Sequence, residues 1–136
     1  GWLVGPADPL RPDAACLRHA VPCRRLFRRA AAGEAAGLRV ALEIFADRTY
    51  EADASLTPRS RPGSVLHGRA EALAHVKRMI EAGGIVTREG TVLPTPFHSI
   101  CVHGDGAEAL DTARALREEL AGWGHALVTL PEAVAR

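Results

Sequence analysis

Helix-like and strand-like blocks alternate along the chain. Arg24 to Ala36 is rich in alanine and arginine, residues of high helix propensity, and Gly37 stands where a C-terminal cap belongs. Leu38 to Phe45 follows as a short, mostly apolar run of the kind that forms a buried parallel strand. It ends in the polar group Ala46-Asp47-Arg48-Thr49-Tyr50. Arg69 to Ala82 sets Ala70, Leu73, Val76 and Ile80 near helical spacing, with Gly83-Gly84 as its stop. Ile85 to Thr87 and Thr91 to Leu93 flank Arg88-Glu89-Gly90, which predicts a small hairpin outside the main sheet. Ser99 to Val102 is a second short apolar strand, followed by His103-Gly104-Asp105 and a helix from Ala107 to Ala121. Ala126 to Leu130 predicts a last strand before Pro131.

The unit that repeats is strand, polar tip, helix, so the pattern predicts an α/β fold with parallel strands, as part of a barrel or as an open sheet. In that class the C-terminal ends of the strands share one rim. Glu43 with Asp47 and Arg48, and His103 with Asp105, should therefore approach the same side of the sheet. The connection from Glu51 to Gly68, with Pro58, Arg59, Arg61, Pro62 and Gly63, is longer than most and is expected to be functional. Residues 1–25 carry Pro6, Pro9, Pro12 and Pro22 and no sustained apolar period, which leaves a loop with one short helix after Asp13. The expected division is a poorly defined segment, 1–25, and one domain, 26–136.

Composition narrows the function classes. With 136 residues, 47% apolar and 24% charged, the chain can build one ordinary core. A net charge of +1 offers no field for a phosphate backbone, which argues against nucleic acid as a partner. Charged residues or prolines interrupt every apolar run before the length of a membrane span, so no membrane is expected. Gly1 to Pro6 does not read as a signal peptide, and the lack of an initiator Met is taken to mean that sequence upstream of Gly1 is missing. Cys16, Cys23 and Cys101 fit no zinc spacing and no disulfide framework, which favours a cytoplasmic location.

Several polar residues have both a chemical and a structural reading. His103 and Asp105 suit acid-base work or substrate binding at a strand tip, whereas Asp105 could instead cap the next helix. His103 and Asp105 could also be two metal ligands, but no third ligand is identifiable. Glu43 inside an apolar strand needs a partner or a polar interior, and Arg48 could form a structural ion pair with Glu43 or Asp47. Arg59 and Arg61 suit an anion-binding arm, although loop arginines are mostly just solvated. Arg24, Arg25, Arg28 and Arg29 read as a solvated helix face. His19, His67, His75, His98 and His125 are given no role, and Cys101 reads as a small core residue with an inert thiol.

Three ordered motifs carry a family resemblance. Leu42-Glu43-Ile44-Phe45-Ala46-Asp47-Arg48-Thr49-Tyr50 resembles the Glu-Val-Phe-Ala-Asp-Arg-x-Tyr signature of the LamB/YcsF family, the 5-oxoprolinase A subunits. Leu56 to Val65 resembles the family's Leu-Val-Pro-Arg-x-x-Pro-Gly-Ala stretch, and Ser99 to Asp105 resembles its Ser/Thr-Ile-Cys-Val-His-Gly-Asp signature. The likeness covers about residues 33–130. Two departures stand out: Gly106-Ala107 replaces the family's Asn-Pro or Thr-Pro, and three N-terminal motifs rich in Asp, His and Lys have no counterpart.

The resemblance implies the C-terminal part of a (β/α) barrel of the glycoside hydrolase and deacetylase type. It implies ATP-dependent hydrolysis of the 5-oxoproline lactam to L-glutamate, with ATP consumed and subunits B and C as partners. Matched to the motifs, His103, Asp105, Glu43 and Asp47 take catalytic places, Arg48 and Arg59 bind substrate or phosphate, and no metal is assigned. The alternative is a truncated, inactive domain that binds a partner or oligomerises. An open-sheet nucleotide-binding module is less consistent, because no glycine-rich phosphate loop follows a strand.

Overall fold

The computed structural model describes residues 16–17, 24–104 and 107–134, with side chains from Ala30 onward. The order of elements is β1 (Cys16–Leu17), α1 (Arg24–Ala35), β2 (Val40–Ala41), β3 (Glu43–Phe45), α2 (Arg69–Ala82), β4 (Gly84–Val86), β5 (Val92–Pro94), β6 (Ser99–Cys101), α3 (Ala109–Gly122) and α4 (Leu130–Ala133). Asp105 and the helix expected just after Asp13 lie outside the described residues, as do residues 1–15.

Helix α1 ends as its sequence predicts. Gly37 adopts φ +76°, a left-handed conformation that a Cβ would disfavour. Its N–H donates to the Glu34 carbonyl at 2.9 Å and that of Leu38 to the Gly33 carbonyl at 2.9 Å, so the last carbonyls of the helix are satisfied.

The expected strand 38–45 is divided at Leu42, because its two halves have different neighbours. β2 pairs in parallel with β1, and β3 pairs in parallel with β6. At the division the Leu42 N–H donates to His98 Nδ1 at 3.0 Å, and its carbonyl accepts from the N–H groups of His98 and Ser99 at 2.7 and 3.2 Å. Among the described residues the strands make two short parallel pairs and one antiparallel hairpin, an α/β arrangement without a closed ring of strands.

Helix α2 packs against α3 and β4. Behind the sheet, Ala46 meets Ala72 and Val76 of α2 and Leu116 and Leu120 of α3, all buried. A second cluster joins Ile44, Phe45 and Tyr50 to Met79 and Ile85, which ties the end of β3 to the hairpin β4–β5. That hairpin is antiparallel and separate from the parallel strands, as its sequence predicts. A Cβ at Gly84 would overlap the Leu93 carbonyl and lie 2.9 Å from Pro94 Cα, so only glycine allows the strands to approach this closely.

The expected strand 126–130 is not formed. Residues 125–129 carry no strand pairing, and Leu130 begins α4. Thr129 and Glu132 make a reciprocal capping box, with the Thr129 N–H donating to Glu132 Oε2 at 2.8 Å. Pro131 falls within the first turn, where its missing N–H is harmless. Local capping chemistry thus outweighs the β-propensity of Leu127, Val128 and Thr129.

Candidate functional site

Strands β3 and β6 run in register, Glu43 beside Ser99, Ile44 beside Ile100 and Phe45 beside Cys101. Side chains alternate between the two faces of a strand, so Glu43, Phe45, Ser99 and Cys101 share one face. The same step beyond the strand ends brings Asp47 opposite His103. Their contact closes the ladder: His103 Nδ1 lies 2.8 Å from both Asp47 Oδ1 and Oδ2. A carboxylate only accepts, so in this contact His103 donates from Nδ1, and in the neutral ring the lone pair then belongs to Nε2. The two side chains are partly exposed, 29% for His103 and 20% for Asp47. The Phe45 ring stacks on the imidazole at 5.5 Å and 14°.

Glu43 lies on the same face but deeper. Ser99 Oγ donates to its Oε2 at 3.0 Å. Glu43 opens β3, which ends at Phe45 before the turn that carries Asp47, and its side-chain hydrogen bond is with Ser99 and not with His103. Cys101 stands between them, and burial pushes its thiol up to about 11, consistent with an inert role.

Arg48 is placed differently from its expected task. It is only 7% exposed, and its guanidinium donates from Nε to the Ser64 carbonyl at 3.2 Å and from Nη2 to the Thr57 carbonyl at 2.8 Å. The ion pair with Glu43 or Asp47 is therefore replaced by a clamp on the loop, because the loop folds back to bring the Thr57 carbonyl, and the Ser64 carbonyl that also accepts from the Thr49 N–H at 3.2 Å, to this one cation. Asp47 is fixed from the same side, its carbonyl accepting from the Leu66 N–H at 2.9 Å. Arg59 is exposed on the outer turn of the loop, where its carbonyl accepts from Ser64 Oγ at 3.3 Å. Arg61 pairs with Glu51 at 2.8 Å. Asp105 and its reading as a helix cap lie outside the described residues, and the described start of α3 has Glu108 at its N-cap.

Two residues without an assigned role prove to be buried against this tip. Tyr50 is fully buried, and its hydroxyl accepts from the Phe45 N–H at 2.8 Å. His75, 3% exposed, stacks on Tyr50 at 6.1 Å. Its Nε2 has no hydrogen-bond partner among the described residues, and the Arg48 backbone is one of the polar groups beside the ring. The only sequence signal for Tyr50 is its place in the motif after Arg48; a lone histidine on a helix gives none for His75.

Burial, with Arg78 nearby, pushes the His75 imidazole down to about 4 from its ordinary 6.5, while the Arg48 carbonyl and Asp47 act weakly the other way. Between those two values the unfolded chain binds a proton that the folded chain refuses. Stability present above pH 6.5 is therefore lost as pH falls through this window, by up to about 3 kcal/mol. Chemical denaturation at pH 7 and pH 4.5 should show the loss in the parent and a smaller one in His75→Gln, which keeps an N–H donor and does not titrate.

A groove of about 820 Å³ lies between Gly63, Val65, Leu66 and the outer side of α2, and contains neither Asp47 nor His103. It adjoins Asp47 through the Leu66 backbone, and the Asp47–His103 pair, with its direct side-chain contact, defines the candidate site. Among the described residues no set of three His, Cys, Asp or Glu side chains is placed to hold a metal, and no helix is long and apolar enough to cross a membrane.

Comparison with known proteins places this geometry in a family context. Residues 19–135 match the model of the LamB/YcsF family. The chain is 56% identical over 102 residues to the 5-oxoprolinase A subunit of an Azoarcus species, covering 75% of this chain and 40% of that protein. It is 52% identical over 93 residues to the 5-oxoprolinase A subunit of Methylococcus capsulatus, covering 68% and 36%. Among solved structures, the lactam utilization protein of Thermus thermophilus superposes with a TM-score of 0.67 at 31% identity, over 83% of this chain and 43% of that one. The chain thus spans about 40% of the length of the curated relatives it matches.

Proposed function

The chain belongs to the LamB/YcsF family, and from that premise we propose that it supplies part of the reactive rim of a 5-oxoprolinase A subunit. The reaction is ATP-dependent opening of the 5-oxoproline lactam to L-glutamate, performed with subunits B and C. The strands β3 and β6 are in this reading two staves of a (β/α) barrel whose interior is the face bearing Glu43, Ser99, Asp47 and His103. The observation that carries the proposal is the Asp47–His103 pair, held at 2.8 Å at adjoining strand tips.

A lactam is a resonance-stabilised amide, so its opening needs an activated carbonyl, a positioned water and a proton for the departing nitrogen. ATP, as second substrate, activates the carbonyl by passing its γ-phosphoryl group to the lactam oxygen, with ADP as the leaving group. His103 Nε2 takes a proton from the attacking water, whose oxygen bonds to the carbonyl carbon. The C–N bond then breaks as the same Nε2 returns the proton to the ring nitrogen, and a second water splits the remaining acyl phosphate into the glutamate carboxylate and phosphate. Asp47 holds the imidazole in the tautomer that this requires and stabilises its protonated form. Arg59, exposed on the adjoining loop, is available to a carboxylate or phosphate oxygen, Arg48 fixes that loop, and Asp105 follows His103 as a further acid. Glu43 and Ser99 keep the floor of the interior polar.

The test is a chimera in which these residues replace the matching segment of the Azoarcus relative, assembled with its partner subunits. It should form glutamate from 5-oxoproline only when ATP is present. An assembled chimera that forms none, beside an active parent, would point to a domain that binds without taking part in the chemistry.

A further inference from the structure

The geometry points to Tyr50 and His75 as positioning residues that hold the Asp47–His103 pair in its working tautomer from behind the sheet. This rests on the proposed role of the pair and extends it to two residues that cannot themselves reach a reactant, since both are buried.

Backbone groups of neighbouring residues in a parallel strand face opposite neighbours. The Ala46 N–H donates to the Cys101 carbonyl at 2.9 Å, towards β6, so the Phe45 N–H faces away from β6. Its acceptor there is the Tyr50 hydroxyl, at 2.8 Å, in the place a strand carbonyl would take. Phe45 is the platform on which the His103 ring stacks. The phenol therefore fixes the position of the imidazole through one hydrogen bond and one ring contact.

His75 secures the other flank. Its ring stacks on Tyr50, beside the backbone of Arg48, the residue that follows Asp47. Asp47 is thereby framed on both sides by buried groups. Both stay neutral at neutral pH: burial pushes the phenol above its ordinary range and the imidazole below its own. The charged groups around them are Glu43 and Asp47 from the strand and Arg78 from α2. Neutrality matters because a positive imidazole or a phenolate beside Asp47 would compete with His103 for its charge.

The experiment reads the His103 ring nitrogens of the full chain by nitrogen-15 NMR at neutral pH, with a thermal melt for each variant. The parent should show the Nδ1–H tautomer alone. Tyr50→Phe removes the acceptor of a buried N–H while keeping the ring, and His75→Leu removes the ring stacked on Tyr50; each should give mixed tautomers at a temperature where the melt shows a folded chain. His75→Phe, which restores a neutral ring against Tyr50, should return the single tautomer. A single Nδ1–H tautomer in folded Tyr50→Phe and in folded His75→Leu would overturn the inference while leaving the pair intact. Mixed tautomers already in the parent would instead overturn the pair on which the inference stands.

Discussion

His103→Asn is expected to lower kcat of the assembled chimera by about 10²–10⁴-fold, the usual worth of a positioned general acid-base. The replacement is chosen because the asparagine amide can occupy the place of Nδ1 and donate to Asp47, while nothing remains where Nε2 stood. The fold around the strand tips should survive, since His103 is partly exposed and its retained contact is with Asp47. KM for 5-oxoproline should move little by comparison, because the lost interaction belongs to proton transfer. Initial-rate measurements of glutamate formation over a range of substrate concentrations separate the two parameters. A drop confined to KM would assign His103 to binding and leave the acid-base role empty.

The second large effect is on stability. Arg48→Met is expected to cost about 3 kcal/mol, because the Thr57 carbonyl loses a charged donor at a buried site and the Ser64 carbonyl is left with the Thr49 N–H alone. The methionine fills much of the volume, so the cost is in polar satisfaction and not in a cavity. Urea denaturation of the full chain compares the midpoints directly. Loss of order should begin in the loop between Thr49 and Leu66, whose antiparallel bridges Arg48–Val65 and Tyr50–Leu56 border the clamp. A surface-like change of a few tenths of a kcal/mol would mean that the guanidinium is dispensable to the loop.

What can be read from the residues alone follows from how local the physics is. The helices α1 and α2 and their glycine stops depend on propensity and on left-handed caps, which are written within a few positions. The approach of Asp47 to His103 is also accessible, since two parallel strands with polar tips must bring those tips to one side. The depth of Glu43 is hidden because a motif gives order along the chain and not height within a sheet. Arg48 is hidden for a related reason: whether a guanidinium faces a ligand or a loop depends on where distant carbonyls fold back, here those of Ser64 and Thr57. Leu127 to Thr129 are strand-like residues, yet the nearby Thr129 and Glu132 cap fixes a helix start instead. His75 gives no signal at all, because its meaning lies in a stack with Tyr50 across the fold.

The central claim is that Asp47 and His103 act as one unit in lactam opening, and a double-mutant cycle on kcat tests it most directly. Asp47→Asn, His103→Asn and the double variant are compared in the assembled chimera under saturating ATP and 5-oxoproline. If Asp47 works only through His103, the double variant should be about as slow as His103→Asn alone, since an orienting group has nothing left to orient. If the two losses multiply in full, the residues act independently and the account of the site is contradicted.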